Sequence, residues 1–145
     1  MSDPSIPSSD LNSLITETRH QRMIRTGEAF PLFLQGVFPF VGHGAVRLSR
    51  LNDELAYTVP KGKEAEVIYF RAGNFTDELL YLTLSANGKP IRYFPIGPKG
   101  DFHVPLAIVE AHPAGTLIEV CLAAPRDLTG TVVIDVGLLE ITASG

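Results

Sequence analysis

Charge is scarce in this chain: 19% of its 145 residues are Asp, Glu, Lys or Arg, and the net charge is −4. The Lys and Arg residues are scattered, with no run denser than Lys61-Gly62-Lys63. Polyanion binding draws its affinity from neutralised phosphates and released counterions, so no nucleic-acid partner is expected. Cysteine is scarcer still. Cys121 stands alone, which excludes an internal disulfide. Met1-Ser2-Asp3-Pro4-Ser5 offers neither the basic nor the apolar region of a secretory signal, and a reducing cytoplasm is the expected compartment. In that compartment the sequon Asn74-Phe75-Thr76 is a chance match.

Long apolar runs are missing too. The longest, Phe30 to Val41, is interrupted by Pro31, Gly36 and Pro39. It falls short of the ~20 residues that a spanning helix needs, so no membrane span is expected. Nucleophile elbow, Walker loop, dinucleotide fingerprint, zinc knuckle and HExxH are all absent. No cofactor is implied.

What is present is β-structure. The length suits one domain, large enough to hold a core without disulfides or metal. Residues 1–8, rich in Ser and Pro, are expected as a disordered tail. Residues 9–43 are expected as a helix and an apolar arm. Ser9 or Asp10 caps the helix, Leu11, Leu14, Ile15 and Thr18 share one side, and Gly27 stops it. The arm holds Phe30, Phe33, Phe38 and Phe40, and its two prolines disfavour both a helix and a central strand.

Residues 44–145 read as the β-domain. Val46/Leu48, Leu55–Val59, Ala65–Ala72, Leu79–Ala86, Lys89–Ile96, Phe102–Glu110, Thr116–Ala123 and Thr131–Ile141 are strand-like, with turn residues between them. Asn87-Gly88 predicts a type I′ hairpin, because both residues accept positive φ. The expected fold is all-β: an antiparallel two-sheet β-sandwich, jelly-roll or Ig-like, of about seven or eight strands. Leu80, Leu82 and Leu84 are expected to face the core, opposite Tyr81, Thr83 and Ser85. Ile68, Phe70 and Ala72 are set against Val67, Tyr69 and Arg71, and Phe102, Val104, Leu106 and Ile108 share one face. The segments Val132–Ile134 and Val136–Ile141 are apolar on both sides, which predicts a central or doubly covered strand.

The most suggestive chemistry is aromatic and cationic. Tyr69, Arg71, Tyr81, Arg92 and Tyr93, with Phe94 nearby, come from three consecutive strands and are the candidate binding residues. Tyr and Arg combine large contact area with a polar end, so they suit a subunit interface, a sugar or an anion, as well as a plain solvated face. His103, Glu110 and His112, with Asp101, are metal-ligand types. Their spacing is poor, since His103 and Glu110 stand roughly 23 Å apart along an extended strand. His43, between Gly42 and Gly44, reads as a hinge. Cys121 reads as a small buried hydrophobe. Glu119 and Asp135 are a carboxylate pair only if they face each other.

Three functions follow from these residues. The first is a non-catalytic binding or assembly module, a homo-oligomer or accessory subunit whose Phe-rich arm contacts a second copy or another protein. The second is a small-ligand or carbohydrate-binding domain using the Tyr/Arg face. The third is a metal-dependent jelly-roll enzyme.

Overall fold

The computed structural model describes residues 17–143. The tail expected at 1–8 and the helix start at Ser9 or Asp10 lie outside them. Within them, α1 runs Arg19–Arg25. Thr18 is its N-cap instead of a member of an apolar stripe. The Thr18 hydroxyl accepts from the Gln21 N–H at 3.1 Å, and the Gln21 side chain accepts from the Thr18 N–H at 2.8 Å. Gly27, at φ 80°, follows the C-cap.

Ten strands follow: β1 Ala29–Val41, β2 Gly44–Arg50, β3 Ala56–Thr58, β4 Lys63–Asn74, β5 Leu80–Ala86, β6 Lys89–Ile96, β7 Asp101–Pro105, β8 Ala111–Pro113, β9 Leu117–Ala124 and β10 Thr129–Thr142. They form two antiparallel sheets, the expected β-sandwich. The first is ordered β1-β10-β4-β7, with β8 also on β4. The second is ordered β2-β9-β5-β6, with β3 on β9. No helix among the described residues is long and apolar enough to cross a membrane.

The segment read as an arm is strand β1, paired with β10 along its whole length. Its two prolines are accommodated because β1 is an edge strand. The hairpin between β5 and β6 turns on Asn87 and Gly88 at φ 52° and 79°, as a type I′ turn requires. Gly42 carries the chain from the first sheet to the second. A Cβ there would stand 2.0 Å from the Pro125 carbonyl oxygen, so only glycine fits.

Two pattern readings are corrected. The strand expected over Phe102–Glu110 ends at Pro105, and Ile108 is exposed. The faces of β4 also exchange at one end. A bulge opposite Gly137 and Leu138 skips Ile68 in the register, so Val67 turns into the core and Ile68 turns outward.

Leu80, Leu82, Leu84, Phe70, Ile134 and Leu138 are fully buried between the sheets. Phe94 joins them and is not on an outer face. Its ring stacks on Phe70 at 4.1 Å and on Phe102 at 5.4 Å, bridging the two sheets. β10 is apolar on both sides for two reasons. It is central in its sheet, and Leu139 and Ile141 pack outward with Ala29, Ile68 and Met23 of α1.

Candidate functional site on the first sheet

α1 covers one end of the first sheet's outer face. The buried Glu66 carboxylate anchors it, accepting from both Arg19 guanidinium nitrogens at 2.9 and 3.0 Å and lying 2.9 Å from His20 Nε2. Among the described residues nothing covers the other end of that face. Strand register lines up Gln35, Asp135, Arg71 and His103 on four neighbouring strands, so one polar row crosses the whole sheet. The next row brings Val37, Val133, Gly73 and Asp101 together. These two rows line a recess of about 690 Å³.

Tyr69 borders the row. Gly137 faces it across the strand pair, and the tyrosine ring lies across the glycine. Its hydroxyl donates to Asp135 Oδ1 at 2.9 Å. Burial, then the Asp135 hydrogen bond, pushes the phenol up to about 12. His103 stands edge-on to the same ring, centroids 5.4 Å apart. Arg71 is exposed and makes no ion pair among the described residues. The recess therefore presents a guanidinium, an imidazole, an amide and two carboxylates on a fixed, twisted surface.

The five candidate binding residues do not form one patch. Tyr69 and Arg71 lie on the first sheet. Tyr81 and Tyr93 lie on the outer face of the second, their rings 6.0 Å apart. Arg92 follows the inward alternation of β6 and reaches the seam between sheets, where it donates to Glu110 at 2.7 Å. β4 and β5 are consecutive but not neighbours, because the chain changes sheets between them.

The metal candidates are not brought together either, because His103 and His112 lie on opposite faces of the first sheet. His103 stands opposite outward Arg71, whereas His112 stands opposite core-facing Ala65 and is buried. Burial holds the His112 imidazole below its usual range. Glu110 is paired with Arg92. No cluster of three or more metal-ligating side chains occurs among the described residues.

Glu119 and Asp135 sit on different sheets and do not face each other. Glu119 is held by Arg50 at 2.7 Å. Cys121 is buried beside Thr83 across the strand pair, and burial pushes its thiol up, away from the nucleophilic form. His43 is exposed at the crossing from β1 to β2.

No family model and no curated protein matches the chain. Solved structures similar to it include the CBM36-1 domain of a multidomain xylanase from the hindgut metagenome of Trinervitermes trinervoides. Identity there is 15%, over 77% of this chain and 98% of that one, with a TM-score of 0.43. A second is from Bacillus endospore appendages, described as a family of disulfide-linked pili. It is 7% identical over 81% of this chain and 93% of that one, with a TM-score of 0.46. Likeness at that level carries no argument about activity.

Of the arm phenylalanines expected at an interface, Phe38 and Phe40 point into this domain's own core. Alternation along β1 sends them inward and leaves Phe33 outward, while Phe30 is exposed at the strand's start. Gln35 and Gly137 went unnoticed in the sequence, and Asp101 was read only as a metal-ligand type. Only the mid-strand glycine gave a signal, since a strand glycine often marks close approach of another group.

Proposed function

We propose that this protein is a non-catalytic β-sandwich module that binds a neutral polyhydroxylated ligand, a carbohydrate, on the outer face of its first sheet. The observation that carries the reading is the in-register row Gln35-Asp135-Arg71-His103 lining the recess. A sugar hydroxyl both donates and accepts, and this row alternates groups that do each. Arg71 offers a fork of donors, Asp135 and Asp101 accept, and Gln35 does both. Tyr69, fixed by its hydroxyl, adds an aromatic surface at the border. Opposite charges within the row favour a neutral ligand over an anion. The site is an open sheet face, and the strong electrostatic catalysis of enzymes needs water excluded. Binding without turnover suits it.

Titration calorimetry against a panel of neutral oligosaccharides tests the reading. Arg71→Ala is expected to weaken the best ligand by roughly tenfold or more, the loss of one charge-assisted hydrogen bond. The melting temperature should stay put, because Arg71 is exposed. A panel with no binder, or a binder indifferent to Arg71→Ala, would sink it.

A further inference from the structure

Among the described residues β1 has an unpaired edge, and its backbone pattern determines what that edge accepts. Glu28 and Gly42 flank the strand and both bond towards the β10 side. Thr142 N–H donates to the Glu28 carbonyl at 3.0 Å, and Gly42 N–H donates to the Leu128 carbonyl at 2.7 Å. The register runs without a shift from Ala29↔Ile141 to Val41↔Thr129. In an antiparallel strand a residue's N–H and C=O leave on one side, and sides alternate along the chain. Even-numbered residues of β1 therefore bond β10, and odd-numbered residues face the free edge. Both prolines are odd-numbered, so the ladder to β10 loses no donor to them.

On the free side, Phe33, Gln35 and Val37 carry available donors, and Pro31 and Pro39 close the run at equal distances from Gln35. Phe33 and Val37 are also 53% and 62% exposed. The strand contains no charged residue. Unpaired edges ordinarily carry charge as protection, and here two copies meet no like-charge repulsion and bury no ion.

We propose that β1 pairs with β1 of a second copy, antiparallel about a two-fold axis through Gln35. Gln35 then bonds its own counterpart, and Phe33 lies opposite the partner's Val37, an aromatic and β-branched pair of the kind that stabilises sheets. Pro31 meets the partner's Pro39, and pairing stops there for want of donors. The interface is self-complementary, as a closed dimer demands. The two first sheets become one, and because Gln35 and Val37 line the recess, the two recesses lie along one continuous face. The pairing stands whether or not the recess binds sugar.

Light scattering on the native chain, over a dilution series, tests this. Twice the mass of one chain is expected. Gln35→Pro adds a third proline on the free side and leaves the bonds to β10 intact, so it should give a folded monomer with unchanged circular dichroism. Phe33→Lys, outside the recess, should weaken association roughly tenfold or more by placing an unpaired charge against the partner's Val37. It carries the test if Gln35→Pro fails to fold. A native monomer at every concentration, or a dimer untouched by Phe33→Lys, overturns the pairing. Oligosaccharide binding is a separate readout: its absence from a native chain that dimerises overturns the ligand reading alone.

Discussion

Tyr69 occupies the volume that a side chain at Gly137 would fill: a Cβ at residue 137 would stand 2.0 Å from the ring's Cε2. Gly137→Ala must push the ring off the sheet and stretch its bond to Asp135. Overpacking of this kind costs about 1–3 kcal/mol. The expected result is a lower melting temperature together with weaker oligosaccharide binding. Calorimetry and a thermal scan on the same sample check it, and full binding with a displaced Tyr69 would show the ring is not part of the site.

Asn74 ties one end of the sandwich together. It is buried, and its amide nitrogen lies within 2.9–3.3 Å of the carbonyls of Glu78, Ile96 and Gly97. Its oxygen accepts from the Thr76 N–H at 2.9 Å and hydroxyl at 2.8 Å. A folded chain thus offers no free amide for glycosylation. Asn74→Asp faces a carboxylate with three carbonyls and should cost roughly 3–5 kcal/mol, as an uncompensated buried charge does. Urea unfolding measures it. A loss within experimental error would mean that water relieves the site.

Phe70 is fully buried in the ring cluster that joins the sheets, stacked on Phe94 at 4.1 Å and on Phe102 at 5.9 Å. Phe70→Ala removes its packing and leaves a cavity, at about 3–5 kcal/mol. Against a typical stability of about 5–15 kcal/mol, that is a large fraction. Leu82→Ala, at about 2–5 kcal/mol, should be milder. Chemical denaturation of both variants ranks them.

These residues also show what the sequence made legible. The Leu80/Leu82/Leu84 alternation and Asn87-Gly88 are local signals, and local geometry settles both. Which strand lies beside which is a non-local property. Tyr69 and Tyr81 are close in sequence yet lie on opposite sheets, while Gln35, Arg71, His103 and Asp135 are far apart in sequence and form one row. The single-residue bulge at Ile68 reverses a face without leaving a composition signal. Proline spacing in β1 was visible from the start. Its meaning depended on knowing which side of the strand was already taken.

Glu66 makes the stability of this sheet pH-dependent. Arg19, by hydrogen bonding, and then His20 hold its carboxyl below the ordinary 4.5, against the opposing push of burial. The folded state therefore binds fewer protons here than the unfolded state does. The contribution is complete above the unfolded value and is lost as pH falls through the lower folded value. Glu66→Gln removes the ionisable group. Its unfolding midpoint should lie below the native chain's at about pH 7, and the gap should narrow as pH drops from about 4.5 towards 3. Urea titrations of both chains across that range provide the difference directly. A constant gap would mean that Glu66 acts by packing, and that the α1 anchor does not depend on its charge.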